Sequence, residues 1–340
     1  LSYDFIDLFA GIGGFRLAFD GHGKCVFSSE KDKFARKAYL ANHGDIPDGD
    51  ITKINVRDIP AHDILLAGFP CQAFSRSGKQ AGFDDSRGTM FFEIQRILAS
   101  KKPRMFLLEN VKQLVTHQGG DTLKLMVDIL TGAHDQDIPD SINLSDDVRE
   151  ALGTRLNYHV ECKVLKSSDF GMPQKRERLF IVGFNKDYYP EIDFKWPEPC
   201  FTPTRIGDYL EIDPDSKYTL SDKFWDFHQK RREINKAAGR GFDYSLYNGD
   251  SPFVNTITAS YAKDGRCVLI EQPGMNPRRL TPRECARVQG YDDSFILDAV
   301  SEFQAYKQIG NSVPVPVIKL ISNAMMCVKG KGRVVQQRLI

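Results

Sequence analysis

No stretch of this chain approaches the roughly 18 unbroken apolar residues of a membrane span, so no spanning helix is expected. Its opening, Leu1-Ser2-Tyr3-Asp4-Phe5, lacks the basic-then-apolar pattern of a secretory leader, and no such signal is expected there. Cysteines two residues apart are missing as well. The seven cysteines, at 25, 71, 162, 200, 267, 285 and 327, are odd in number and scattered. That argues against a disulfide framework or a zinc site and fits a reducing, cytosolic setting. An excess of one charge is also lacking: 46 Lys+Arg against 45 Asp+Glu leaves a net +1. Any nucleic-acid surface must therefore come from local charge placement. Internal repeats and low-complexity tracts are absent. What is present is ordinary: 41% hydrophobic and 27% charged residues over 340 positions. This excludes a mostly disordered chain and suffices for two domains or one large α/β domain.

Apolar strand signals and helical signals alternate over the first 110 residues or so. Strands are expected over 3–9, 25–29, 63–67 and 104–108, with helices over 15–19, 31–41 and 89–100. The strand tips end in glycine or polar residues. This is the pattern of a doubly wound parallel sheet with its site at the strands' carboxyl ends. Residues 132–150 are acidic and turn-rich and read as a surface insertion, and 179–184 reads as a further strand. From 190 to 222 five prolines break the rhythm. Residues 223–240 then hold six basic side chains against two acidic ones, interleaved with Phe224, Trp225 and Phe227. The tail beyond Val317 has five basic and no acidic residues and reads as a solvated end.

Six motifs carry chemistry. In Asp7-Leu8-Phe9-Ala10-Gly11-Ile12-Gly13-Gly14, glycines at a strand-to-helix turn let backbone approach a ligand. Glu30, at the tip of the next strand, can bind a ribose diol. The spacing is not G-x-G-x-x-G, so it allows a nucleoside without pyrophosphate; a tight turn with no ligand reads equally well. Gly68-Phe69-Pro70-Cys71-Gln72-Ala73-Phe74-Ser75 puts a cysteine on a loop directly after a strand, where a thiolate can be stabilised. A buried apolar cysteine is the plainer alternative. Leu107-Leu108-Glu109-Asn110-Val111 ends an apolar strand in a carboxylate whose pKa desolvation raises. Protonated, it can donate to a ring nitrogen; otherwise it caps a helix. Gln174-Lys175-Arg176-Glu177-Arg178 sets Gln174, Arg176 and Arg178 on one face, able to grip a phosphate or carbonyl oxygen or to lace a sheet edge. Arg279 to Tyr291 reads as structural, with Thr281 as N-cap, Pro282 at N1 and Glu284 closing a capping box. Gln308-Ile309-Gly310-Asn311-Ser312-Val313-Pro314 reads as a tight turn entering a helix, touching a cofactor or simply capping.

In this order, the motifs DLFAGIGG, GFPCQAFS, ENV, QKRER, RLTPRECARVQGY and GNSV resemble those of the bacterial DNA (cytosine-5)-methyltransferases over nearly the whole chain. The resemblance implies an α/β fold: a doubly wound mixed-sheet, Rossmann-like S-adenosylmethionine-dependent methyltransferase domain plus a smaller, loop-rich target-recognition domain. Residues 1–205 and 311–340 would form the catalytic domain, 206–281 the recognition domain and 282–310 a hinge. It implies Cys71 as nucleophile, Glu109 on the base at N3, Arg178 on O2 and Arg176 in support. The S-adenosylmethionine site would comprise Phe9, Gly11, Ile12, Gly13, Gly14, Glu30, Asp50, Ile51, Pro70, Asn311 and Ser312. DNA contacts are expected from Ser75, Ser77, Lys79, Arg87, Lys230, Arg231, Thr256, Tyr261 and Lys263. The base must leave the duplex to be reached. No metal is implied. The expected partner is double-stranded DNA, and a restriction–modification setting implies a cognate endonuclease without a stable complex. The protein is expected to be a monomer, cytoplasmic and nucleoid-associated.

Three features depart from the family pattern, the apparent insertion at 132–150 being one. Lys31 follows Glu30 where relatives often carry an aromatic residue that stacks on adenine, and Thr256-Ile257 stands where Thr-Leu is usual. Three other readings compete. An RNA-acting relative would carry a Cys-Phe-Thr signature in its recognition region, whereas Cys200-Phe201-Thr202 lies in the proline-rich stretch. A silent DNA-binding protein would not need Cys71, Glu109 and Arg178 together. An NAD-dependent oxidoreductase would need the third fingerprint glycine.

Overall fold

The computed structural model describes residues 2–70, 89–134, 142, 144–241 and 243–330. In chain order these form β1 (Tyr3–Leu8), α1 (Gly14–Phe19), β2 (Gly23–Ser29), α2 (Lys33–His43), β3 (Ile64–Gly68), α3 (Met90–Lys101), β4 (Met105–Val111) and α4 (Asp121–Thr131). Next come α5 (Asp146–Leu152), β5 (Tyr158–Lys166), β6 (Gln174–Lys175), β7 (Glu177–Asn185), α6 (Asp222–Ala237), β8 (Leu246–Tyr247), β9 (Val254–Asn255) and α7 (Tyr261–Asp264). The chain ends in β10 (Leu269–Gln272), β11 (Met275–Arg279), α8 (Pro282–Val288), α9 (Glu302–Asn311) and α10 (Val315–Met326).

Six strands make one sheet in the order β2-β1-β3-β4-β7-β5. Its inner strands are apolar on both faces, because helices cover both. Phe5, Ile64, Leu66, Leu107 and Val182 point into one core, which α1 and α10 close. Ile6, Leu65, Phe106, Leu108 and Ile181 point into the other, which α3 and α4 close. That period of two within continuous apolar runs is why β1, β3 and β4 were readable as buried strands.

The sheet is mixed, not parallel throughout as the alternation alone suggested. β1 to β4 run parallel, while β7 is antiparallel to both β4 and β5. β5 and β7 follow one another without a crossover helix, and such a connection requires antiparallel pairing. β5 itself escaped the sequence reading because it is an edge strand with an exposed centre, Glu161 to Lys163. The supposed insertion at 132–150 also needs correcting. Its last residues enter α5, where Val148 is buried and the Gln95 side chain donates to the Ala151 carbonyl at 2.8 Å.

The remaining strands form two small sheets, β11-β10-β8 and β6-β9. Between 190 and 222 the chain has only short 3-10 turns, as the prolines suggested. The capping box of α8 is present: Thr281 Oγ1 accepts from the Glu284 N–H, and Glu284 accepts from the Thr281 N–H. Glu284 also binds both Nη atoms of Arg278 at 2.8 Å with no exposure, so the motif is structural. At 308–314 the sequence suggested a tight turn, but α9 continues through Asn311 and only Ser312 to Pro314 turns. Among the described residues, no helix is long and apolar enough to cross a membrane.

Candidate active site

The carboxyl ends of the parallel strands open into one cavity of about 770 Å³, in the size range of small-molecule sites. Phe9, Gly11, Ile12, Gly14, Glu30, Asp50, Ile51, Pro70, Asn311 and Ser312 line it, together with Glu109, Arg176 and Arg178. Residues from seven separate stretches of sequence therefore meet in one space. Gly13 is the exception among those expected at the cofactor. Its φ of +86° favours glycine, and a Cβ there would come within 2.0 Å of the His43 ring. His43 Nε2 lies 3.2 Å from the Ile12 carbonyl, and burial, with Arg16 adding, lowers its pKa to about 4, so a neutral ring braces the turn from below. A Cβ on Gly14 would collide with the Tyr291 hydroxyl and Val313. Gly13 thus answers to packing, and Gly14, which lines the cavity, to packing as well.

Glu30 accepts from the Gly11 N–H at 2.9 Å and from the Asp32 N–H at 2.7 Å. Burial pushes its carboxyl up while those N–H groups pull it down. Asp50 caps the turn at 51–53 and pairs with Lys31 at 2.7 Å. Partial burial opposes its ionisation, but Lys31 and Thr52 hold it below the usual range.

On the far side of the cavity Glu109 sits in β4, beside Gly68 of β3 and across from β7. Arg178 Nε holds its Oε1 at 2.9 Å. Burial is the largest influence and raises the Glu109 pKa, with Arg178 and then Arg176 opposing. The Asn110 side chain donates to the Phe69 carbonyl, tying this strand to the loop leaving β3. Cys71, Ser75, Ser77, Lys79 and Arg87 lie outside the described residues.

Arg176 differs from its neighbour. It is 1% exposed, and its guanidinium donates to the carbonyls of Ile257, Gly310 and Ser312. The expected grip on carbonyl oxygens exists, but on the protein's own backbone, fastening the junction of β6 and β7 to the stretch after β9 and to the end of α9. Gln174 repeats the theme: its side-chain oxygen accepts from the Ile257 N–H at 3.1 Å.

Of the residues expected to touch DNA, Lys230 and Lys263 are exposed and Arg231 half-buried. The half-buried Thr256 donates to the Lys175 carbonyl at 2.8 Å. Tyr261 requires correction. It is 1% exposed, donates to the Val268 carbonyl, accepts from the Leu280 N–H and packs on Tyr306, so its side chain serves the core. Sequence reasoning missed Glu93, Val148 and Lys307, which also line the cavity. Lys307 lies one turn before the Gly310-Asn311-Ser312 motif on α9, and that spacing was the available signal.

Asp7 lies wholly buried behind the glycine turn, and among the described residues neither carboxyl oxygen has a hydrogen bond of normal geometry. Burial pushes its pKa up to about 8, Arg16 opposing and Glu30 adding. An unfolded Asp ionises near 3.9, so between about pH 4 and 8 the folded chain keeps a proton that the unfolded chain has released. Stability should fall as pH rises through that window. Asp7→Asn removes this cost. Denaturant melts should find the variant gaining about 3 kcal/mol on the wild type between pH 5.5 and 8. A pH-independent difference between the two would contradict the assignment.

A family model for C-5 cytosine-specific DNA methylase matches residues 3–133 and 146–327. The chain is 51% identical over 335 residues to the Type II methyltransferase M1.ScrFI of Lactococcus lactis subsp. cremoris, covering 98% of this chain and 80% of that one. It is 52% identical over 328 residues to M.NlaX of Neisseria lactamica, covering 95% and 96%. Among solved structures it resembles the Entamoeba histolytica methyltransferase EhMeth with a TM-score of 0.74 at 18% identity, covering 96% and 98%. At that identity the likeness is one of fold.

Proposed function

This chain belongs to the C-5 cytosine-specific DNA methylase family, and from that premise we propose a full reaction for it. It transfers a methyl group from S-adenosylmethionine to C5 of a cytosine flipped out of a short specific duplex sequence, through a covalent bond between Cys71 and C6. The modification protects DNA within a restriction–modification system. The observation that carries the reading is the pairing of buried Glu109 with half-buried Arg178 at the cavity wall, 2.9 Å apart, beside the Gly68 from which the chain runs to Cys71.

The residues present fit S-adenosylmethionine. Glu30, Asp50 and Glu93 line the cavity. They suit a ligand with a diol, an exocyclic amine and positive charge, and would repel a pyrophosphate. Phe9 and Ile51 offer apolar surface. Gly11, Ile12, Gly14, Pro70, Asn311 and Ser312 complete the set that would hold it. When bound, it supplies an electrophilic methyl group.

The chain's own residues do the rest. The Cys71 thiolate adds to C6, and the ring electrons move toward C5, which becomes nucleophilic. Glu109, whose pKa burial raises against the pull of Arg178, donates to N3 as charge develops there. Arg178 steadies both the carboxylate and the base O2, while Arg176 holds the surrounding backbone. Once C5 carries the methyl group, its proton goes to solvent, the electrons of that C–H bond re-form the C5–C6 double bond and expel the Cys71 thiolate, and N3 returns its proton to Glu109. Residues 1–205 and 311–340 carry this chemistry, 206–281 read the sequence and 282–310 form the hinge between them. Lys230, Arg231, Thr256 and Lys263, with Ser75, Ser77, Lys79 and Arg87, position the duplex. The exposure of most of α6 supports that division.

The test is incubation with labelled S-adenosylmethionine and mixed genomic DNA, with tRNA in parallel, followed by bisulfite sequencing. 5-Methylcytosine at one short DNA motif is the expected result. Label in tRNA alone would move the substrate to RNA, and label in neither would remove the activity.

A further inference from the structure

The family model passes over residues 134–145 and resumes at 146. Leu144 and Ser145, at the edge of that gap, and Val148 just beyond it nevertheless line the cavity. Leu144 and Val148 belong to the same apolar cluster as Ile51 and Phe9. Their segment is firmly held. Val148 is 1% exposed, Arg149 donates to the Ile142 carbonyl at 2.7 Å, and Gln95 of α3 binds the Ala151 carbonyl. The end of the cavity they serve is also marked. On α3, Arg96 donates to the Ile51 carbonyl at 3.2 Å while the neighbouring Gln95 reaches α5, so α5 and the Asp50–Ile51 corner are tied to the same helix.

Among the described residues, one side of that corner is occupied by Lys31. Lys31, 79% exposed and paired to Asp50, brings a charge to the cavity mouth and no flat face. A purine has two apolar faces and a polar edge. Asp50 and the backbone of Ile51 suit the edge, and the faces need hydrocarbon.

We propose that Leu144 and Val148 are cofactor-binding residues that supply an apolar wall against the adenine end of S-adenosylmethionine. The proposal rests on reading the cavity as the S-adenosylmethionine site. Burial of adenine against these side chains contributes affinity in proportion to the apolar area covered.

The experiment is calorimetry without DNA on the wild type, Leu144→Ala and Val148→Ala. It uses two probes: S-adenosylhomocysteine and 5′-methylthioadenosine, which keeps the adenosine end alone. Leu144→Ala should weaken both probes by about fivefold, and Val148→Ala, at a residue 1% exposed that backs Leu144, by less. Leu144 is half-buried, so its variant should melt like the wild type without ligand, and it decides the matter if Val148→Ala fails to fold. Unchanged Kd values in Leu144→Ala, with the wild type binding both probes, would overturn the wall and leave the cavity reading intact. A loss confined to S-adenosylhomocysteine would put the contact at the amino-acid end and also overturn it. A wild type that binds neither probe would overturn the cavity reading itself.

Discussion

Cys71→Ser is expected to lower methyl transfer by at least about a thousandfold while duplex binding stays within about threefold. A thiol ionises near 8.5 and its anion is a strong nucleophile. A serine hydroxyl is far less acidic and, as the neutral alcohol, a far weaker nucleophile. The surroundings of the position support the role. The chain leaves β3 at Gly68 beside the Glu109 carboxylate, and Phe69 is tied to Asn110. The other cysteines make informative controls. Burial pushes Cys25 up to about 12, which suppresses its thiolate at neutral pH. Cys200 is exposed, and the Thr202 hydroxyl lowers its pKa, so it is the more reactive thiol, but it lies outside the cavity. Cys200→Ala should therefore leave turnover unchanged. Rate measurements with gel-shift binding on the same oligonucleotide check both variants. Full turnover in Cys71→Ser would remove the covalent mechanism. Loss of binding in step with rate would reassign the residue to recognition.

The parts of this architecture that were legible in sequence are those where burial imposes a pattern. Ile64 to Ala67 and Met105 to Leu108 lie between two helix layers, so every residue is apolar and the strand announces itself. The same uniformity hides direction: β7 is buried like its neighbours, and nothing in its composition marks it as antiparallel. Polar composition misled in the opposite sense at α5, where Val148 is the one buried residue in an acidic helix. At the site, glycine is ambiguous, since a missing Cβ borders open cavity at Gly11 and makes room for a histidine ring at Gly13. Arginine is ambiguous too. Arg176 and Arg178 stand two residues apart, yet one is spent on three backbone carbonyls and the other on a cavity carboxylate. Tyr261 and Lys263 illustrate the remaining limit: a run of aromatic and basic residues does not reveal which members face inward.

Glu109→Gln should lower the single-turnover rate by about a hundredfold to a thousandfold while changing DNA affinity little. Glutamine nearly preserves shape and can still donate a hydrogen bond, but it cannot deliver a proton to N3. The pH profile separates this role from simple positioning. In the wild type the rate should rise with pH as the Cys71 thiol ionises. It should then fall as the Glu109 carboxyl, raised by burial, loses its proton. The Gln variant should keep the rising limb and lose the falling one. Arg178 supplies the reciprocal test. Its guanidinium lowers the Glu109 pKa against the larger effect of burial, so Arg178→Ala should move the falling limb to higher pH as well as slow the reaction. A falling limb that persists in Glu109→Gln belongs to another group, and the protonated carboxyl would then have no part in the chemistry. If Arg178→Ala moved the limb to lower pH, the Arg178 cation would not be what opposes burial at Glu109, and the electrostatic account of the pair would fail at its first step.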